Sequence, residues 1–153
     1  MNNDLSDLYQ ALILEHSKQP SHYGPLQSCT HQAHGSNPLC GDQVTVFARL
    51  EAGRLEGLQF TGQGCAISQA SASLMTEALE GQPLQAVEYC QSLVQRLVSD
   101  KTYQPSPQEA EISGDLVALS GVRQFPARVK CATLAWHTLQ EALSRPTPAS
   151  EST

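Results

Sequence analysis

The chain has 153 residues, 40% of them hydrophobic, and a formal net charge of −6 at pH 7. This length corresponds to one domain, and the composition is sufficient for a hydrophobic core. Nine Lys and Arg residues stand against 15 Asp and Glu residues, which argues against a nucleic-acid-binding protein because such proteins are typically basic. No apolar run approaches the ~20 residues of a membrane-spanning helix, so we expect no membrane association.

The N-terminal sequence is polar and acidic, without the basic start and apolar stretch of a secretory signal. We therefore expect a cytoplasmic protein. Thiols stay reduced in that compartment. The five cysteines cannot all pair within one chain. In a reducing compartment, cysteines indicate metal binding or reactivity more than a disulfide framework.

Hydrophobic periodicity predicts the first half of the chain as one helix and a hairpin. The helix is amphipathic and covers residues 4–18, and a long loop follows over 20–42 with room for one edge strand. Residues 43–51 and 55–61 alternate as two strands around a tight turn that contains Gly53. The two outer ends of this hairpin therefore meet at one end of the sheet.

Helices dominate the second half of the chain. Helices are predicted over 66–80, 83–98 and 126–143, separated by a polar loop over 99–113 and a helical turn over 115–119. Strands at the front and helices behind predict an α+β fold, with a small antiparallel sheet of about three strands and helices packed on one face. We expect a single domain over 1–143 and a disordered tail over 144–153, which is rich in Pro and Ser.

Three of the cysteines occupy the ends of predicted elements, where functional residues are common. Cys40 precedes the first hairpin strand, Cys65 joins the second strand to a helix, and Cys131 lies in the first turns of the last helix. A helix N-terminus favours the thiolate form of Cys65 and Cys131. Arg128 and Lys130 would lower the pKa of the Cys131 thiol further and could stabilise a sulfur anion.

Asp42 completes a possible tetrahedral set with Cys40, Cys65 and Cys131, and this set is chemically acceptable for zinc. An Asp ligand is weaker and more exchangeable than a fourth thiolate, so such a site could open for chemistry. Spacing alone is a weak signal because the chain contains no Cys-x-x-Cys pair. The alternative is that small buried cysteines pack as hydrophobic residues.

The remaining cysteines and histidines have simpler interpretations. Cys90 falls on the apolar stripe of a helix and is interpreted as a packing residue, and Cys29 in a polar loop as incidental. His31 and His34 precede Cys40 closely enough to be rival ligands. His16 is interpreted as a packing residue, and His22 and His137 are interpreted as surface or boundary residues.

The chain resembles the IscU/NifU N-terminal family of iron–sulfur cluster assembly proteins, and within it the SufU-type branch. The resemblance spans about residues 5–143 and is carried, in order, by LILEHSKQPSHYG, NPLCGDQV, GQGCAISQASASLMTEAL and FPARVKCATLAW. It implies a compact α+β fold, and it places the active cysteines of the family at Cys40, Cys65 and Cys131 and its aspartate at Asp42. It also implies that these residues hold zinc or, alternatively, iron or a transient iron–sulfur cluster.

The same resemblance implies a sulfurtransferase-like carrier that receives persulfide sulfur from a pyridoxal-phosphate cysteine desulfurase of the SufS type and supplies downstream cluster assembly proteins. Two features favour the SufU-type branch: Lys130 stands where the scaffold type has His, and residues 99–120 look like an insertion. We expect Cys40 to accept the sulfur and Arg128 and Lys130 to steady its anion. A cluster-building scaffold and an adaptor with structural zinc remain alternatives.

Overall fold

A computed structural model of the chain describes residues 2–39 and 41–144. Three antiparallel strands form one sheet in the order β1–β2–β3: β1 (His31–Asn37), β2 (Asp42–Glu51) and β3 (Arg54–Gln63). The helices are α1 (Asn2–Lys18), α2 (Ala66–Leu79), α3 (Leu84–Ser99), α4 (Pro107–Ser113) and α5 (Pro126–Ser144), with a 3₁₀ helix over Gly114–Gln124. The predicted α+β class, with a small antiparallel sheet and packed helices, is confirmed.

The hairpin between β2 and β3 turns where the sequence predicts it. Ala52 and Gly53 both have positive φ values, 52° and 78°, as a two-residue hairpin turn requires. Along β2 and β3, alternate side chains enter the core, where they meet α2 and α5: Val44, Val46, Ala48, Leu58 and Phe60. The period of two thus directs one face of the sheet onto the helices.

The segment over 99–113, predicted as a polar loop, contains the short helix α4, so this prediction is wrong in part. The Ser106 hydroxyl accepts the Glu109 backbone N–H at 3.1 Å, and a Glu109 carboxylate oxygen accepts the Ser106 backbone N–H at 2.9 Å. This reciprocal capping box starts the helix, and Pro107 fits its first turn. The helical turn predicted over 115–119 is longer, since the 3₁₀ helix extends over Gly114–Gln124.

None of the described helices is long and apolar enough to cross a membrane. The disordered tail predicted over 144–153 lies outside the described residues apart from Ser144, which ends α5. The boundary of the predicted domain therefore stays a prediction.

A buried polar contact fixes α5 against α2. The Trp136 indole N–H donates to the Ser71 hydroxyl at 3.0 Å, and this hydroxyl donates to the Ala132 carbonyl at 2.5 Å. Ser71 is fully buried and Trp136 is 4% exposed, so each group depends on the other for hydrogen bonding. Because α2 follows Cys65 and α5 contains Cys131, this contact sets the distance between two of the predicted site residues.

Replacing Ser71 with Ala should destabilise the protein by roughly 1–3 kcal/mol, because the buried Trp136 N–H would lose its acceptor. The free energy of unfolding from urea denaturation measures this effect. Ser99→Ala is the matched control, since the Ser99 hydroxyl bonds the Gln95 carbonyl on the exposed surface, and it should change stability by less than about 0.5 kcal/mol. Equal losses in the two variants would contradict the role assigned to Ser71.

Candidate metal centre

Asp42 lies at the end of the sheet where the hairpin closes. It is the first residue of β2, and the next residue, Gln43, pairs with Gln63 at the end of β3. The Asp42 carboxylate is fully buried, and its Oδ1 accepts the Cys65 backbone N–H at 2.9 Å. The prediction that the hairpin brings Asp42 and Cys65 to one end of the sheet is therefore confirmed.

Cys65 is the N-cap residue of α2. Its sulfur accepts the Ser68 backbone N–H at 3.5 Å, and it lies 3.8 Å from Asp42 Oδ2. The sulfur therefore faces the positive end of the helix dipole. The sequence-based placement of Cys65 at a helix N-terminus is correct.

Cys131 completes a group of three potential ligands from separate elements. It lies near the start of α5 and is 1% exposed. One ligand atom each from Asp42, Cys65 and Cys131 lies within 4.8 Å of the other two. The structure thus brings together two thiols and a carboxylate that are far apart in the sequence.

The donor chemistry of this group fits zinc. Zinc takes thiolate and carboxylate ligands in tetrahedral geometry, and two sulfurs bound at about 2.3 Å would lie about 3.8 Å apart. The three ligand atoms lie within 4.8 Å of one another, the Cys65 sulfur is 3.8 Å from Asp42 Oδ2, and Asp42 and Cys131 are already buried in the protein. The arrangement leaves a fourth coordination position for another ligand.

Arg128 lies next to both thiols of the group. It is an exposed residue in the first turn of α5, three residues before Cys131 and therefore on the same helix face. The pKa of Arg128 is raised, first by the negative charge of Cys65 and then by a hydrogen bond and charge interaction with Cys131. A guanidinium in this place stabilises thiolates and would equally stabilise a persulfide anion.

Lys130 is exposed on α5, two positions after Arg128, and this spacing directs it to another side of the helix. Within the described part of the chain, its ammonium group makes no hydrogen bond or ion pair. Arg128 and Lys130 therefore differ in position relative to the thiols, although the sequence analysis assigns them the same role.

Cys40, the first of the predicted ligands, lies outside the described residues. Its neighbours Leu39 and Gly41 are described: the Gly41 N–H donates to the Asn37 carbonyl at 2.8 Å, and Leu39 is 83% exposed. Cys40 precedes the buried Asp42 by two residues. Its role as a ligand stays a prediction.

The other predicted candidates lie elsewhere. His34 bonds the Thr45 hydroxyl at 2.9 Å, and it is three residues from Asn37, the β1 residue that pairs with Asp42. At about 3.3 Å per residue, His34 is about 10 Å from that end of the strand, and His31 is further still. Cys90 is 7% exposed in the main hydrophobic core, where burial raises the pKa of its thiol.

Gly64 is a site residue whose role the sequence indicates only as a sharp turn beside Cys65. Its φ is +152°, and a Cβ atom on Gly64 would lie 2.3 Å from Asp42 Oδ1. The absence of a side chain therefore allows the Asp42 carboxylate to reach the start of α2. The Gly-Gln-Gly segment before Cys65 is a signal for this close approach.

Comparison with known proteins agrees with the fold and identifies the family of the chain. The chain matches the family described as "NifU-like N terminal domain" over residues 8–132. It is 36% identical to the iron–sulfur cluster assembly scaffold protein IscU of Streptococcus pyogenes serotype M1, over 92% of this chain and 86% of that protein. It is 35% identical to the zinc-dependent sulfurtransferase SufU of Bacillus subtilis strain 168, over 94% of this chain and 95% of the relative.

A solved structure is similar as well. The protein from Fervidobacterium islandicum AW-1, proposed as an iron–sulfur cluster assembly scaffold for the SUF system, superposes with a TM-score of 0.78 at 30% identity, over 86% of this chain and 93% of that one. The chain belongs to the NifU-like N-terminal domain family, whose named relatives here are iron–sulfur cluster assembly proteins of the IscU and SufU types. The resemblance found in the sequence is confirmed.

Replacing Gly64 with Ala should disrupt the centre, because the added methyl group would displace the Asp42 carboxylate. We expect a loss of roughly 1–3 kcal/mol from this clash, in addition to about 1 kcal/mol for Ala at a positive φ. Urea denaturation measures the sum. Gly81→Ala is the matched control, since Gly81 has a φ of +85° but no atom within 4 Å of its added Cβ. The interpretation is wrong if the two variants lose the same stability.

Proposed function

We propose that this protein accepts persulfide sulfur from a cysteine desulfurase and carries it to downstream iron–sulfur cluster assembly proteins. The observation that carries the proposal is the convergence of Asp42, Cys65 and Cys131 beside the Arg128 guanidinium. The similarity to a zinc-dependent sulfurtransferase over almost the whole chain supports it. Members of the desulfurase class that contain pyridoxal phosphate, in particular the SufS type, are the proposed partners.

Cys40, Asp42, Cys65 and Cys131 would hold a zinc ion in this proposal. Zinc binding requires deprotonated thiols and therefore keeps them as thiolates at neutral pH. Cys65 lies at the N-terminus of α2, and the Arg128 guanidinium interacts with both Cys65 and Cys131. The buried Asp42 carboxylate is held in place by the Cys65 backbone N–H.

Cys40 is the proposed acceptor. Its thiolate attacks the terminal sulfur of the desulfurase persulfide, a new S–S bond forms on Cys40, and the old S–S bond breaks so that the desulfurase cysteine leaves as a thiolate. Arg128 stabilises the persulfide anion that results, and Lys130 is the second candidate for this role. In the chain, Cys40 directly follows Leu39, an exposed residue at the surface of the protein.

The surface near the centre is suited to contact with another protein. Leu39 is 83% exposed and Phe125 is 61% exposed, although both side chains are large and apolar. Leu39 precedes Cys40, and Phe125 lies just before the first turn of α5, which contains Arg128. We infer that these two side chains belong to the surface that docks on the desulfurase, since contiguous apolar patches mark protein interaction sites.

Mass spectrometry tests the sulfur transfer directly. After incubation with a desulfurase and cysteine, the chain should gain the mass of one sulfur atom, and peptide mapping should locate it on Cys40. Cys40→Ala should abolish both the adduct and the stimulation of cysteine turnover. Cys29→Ala is the control outside the centre and should behave as wild type. Wild-type stimulation by Cys40→Ala would refute the acceptor assignment.

Arg128→Ala should lower the stimulated rate of cysteine turnover by about tenfold or more, because a charge-assisted hydrogen bond to the sulfur anion is lost. Arg128→Lys should fall between wild type and Arg128→Ala, since it keeps the charge without the planar donor pair. Lys130→Ala is the comparison on the same helix, and we expect the smaller effect from it. A larger effect of Lys130→Ala would contradict the geometry of α5.

A second function, assembly of an iron–sulfur cluster on the same residues, is favoured by the similarity to a relative named as an IscU scaffold. Thiolates are the usual ligands of such clusters, and Asp42 would then be a labile ligand that eases release. Metal analysis after purification distinguishes the two functions. Stoichiometric zinc that resists replacement by iron supports sulfur transfer, whereas a coloured cluster that forms and passes rapidly to an acceptor protein supports the scaffold.

A further inference from the structure

A second cluster of potential metal ligands lies at the far end of α2 from Cys65. His16 of α1, Glu77 of α2 and Asp115 of the 3₁₀ helix each offer one ligand atom, and these atoms lie within 4.8 Å of one another. Cys65 caps the start of α2, whereas Glu77 lies in its last turn. At about 1.5 Å of rise per residue, the two clusters are separated by about 18 Å along the helix.

The His16 side chain is held in an orientation suited to metal binding. It is only 9% exposed, and its Nδ1 lies 2.7 Å from the Ser73 hydroxyl oxygen, which also accepts the Ser21 backbone N–H at 2.7 Å. Metal-bound histidines typically use their second ring nitrogen in such a hydrogen bond. When Nδ1–H donates to Ser73, the lone pair of Nε2 is available to a metal ion.

The Nε2 atom of His16 faces the two carboxylates. Its distance to Glu77 Oε1 is 3.8 Å, which is too long for a hydrogen bond but short enough for both atoms to bind one ion. The other Glu77 oxygen accepts a hydrogen bond from the Ser21 hydroxyl, and this contact orients the carboxylate. The His16 imidazole is thus about nine-tenths buried and points towards the two carboxylates. Its Nε2 atom is not hydrogen-bonded to either of them.

The cluster has a route to solvent and room for water ligands. Glu77 and Asp115 are exposed residues, and both line a cavity of about 240 Å³. Two carboxylate groups this close repel each other unless a positive charge lies between them. A cation in this position would remove the repulsion and could complete its coordination with water from the cavity.

We propose that His16, Glu77 and Asp115 form a binding site for a divalent first-row metal ion, separate from the thiolate centre. One imidazole nitrogen and two carboxylates are harder ligands than thiolates and suit ions such as Mn²⁺ and Fe²⁺. Each ligand comes from a different element, so a bound ion would join α1, α2 and the 3₁₀ helix. Because the unfolded chain has no such site, metal binding would raise the stability of the folded state.

The test is a titration of the purified full-length chain with Mn²⁺, in which electron paramagnetic resonance measures the free aqua ion. We expect one Mn²⁺ bound per chain and a thermal midpoint that rises with Mn²⁺ concentration. Asp115→Asn and Glu77→Gln should each weaken binding by about tenfold or more and reduce the thermal shift at a given Mn²⁺ concentration. Both residues are exposed, so neither substitution removes core packing.

Two controls separate this site from other sources of binding. Glu111→Gln removes an exposed carboxylate of α4 that lies outside the cluster, and Cys65→Ser removes a donor of the thiolate centre. Both should bind Mn²⁺ as wild type does. The proposal is overturned if wild type binds no Mn²⁺, if Asp115→Asn and Glu77→Gln bind as wild type, or if Cys65→Ser loses binding. The first result would leave His16 and Glu77 as a simple ion pair. None of these outcomes depends on sulfur transfer.

Discussion

The buried carboxylate of Asp42 is the constraint on which the candidate centre depends. Removing an ionised carboxylate from water is costly unless hydrogen bonds and positive charge replace the lost hydration. The Cys65 backbone N–H and the adjoining N-terminus of α2 provide this replacement. One contact therefore ties the start of β2 to the start of α2, and Gly64 permits it by having no side chain. The spacing between a carboxylate and a thiol is fixed by backbone geometry before any ligand binds.

The third ligand and its cation depend on how two helices pack. Cys131 and Arg128 belong to α5, and the buried contact between Ser71 and Trp136 holds α5 against α2. The thiol of Cys131 is buried while Arg128 is exposed, so the centre combines a protected sulfur with a charge that a partner protein can reach. In the proposed function, this division would keep one thiol protected while the centre exchanges sulfur with another protein.

The helix α2 connects two regions of different chemistry. Its N-terminus meets thiols and a guanidinium, which favour soft metals and sulfur anions, whereas its last turn contributes Glu77 to a group of nitrogen and oxygen donors. Buried serines along the helix serve both regions: Ser71 positions α5, and Ser73 supports the His16 ring. The small side chains of α2 thus act as hydrogen-bonding groups as well as packing residues.

The sequence by itself determined the features that local chemistry controls. The period of two and the turn at Gly53 set the hairpin, and the hairpin necessarily placed Asp42 near Cys65. The signal for α4 was also local, a Ser and a Glu three residues apart, but two prolines in the same stretch favoured a loop. The family resemblance predicted that Cys131 belongs to the centre, and the structure places it beside Asp42 and Cys65. Only the tertiary structure decided that Arg128 rather than Lys130 faces the thiols and that His16 meets Glu77 and Asp115. Those contacts join elements far apart in the chain, and they depend on helix orientations that come from packing, for which no local pattern of residues is a sufficient signal.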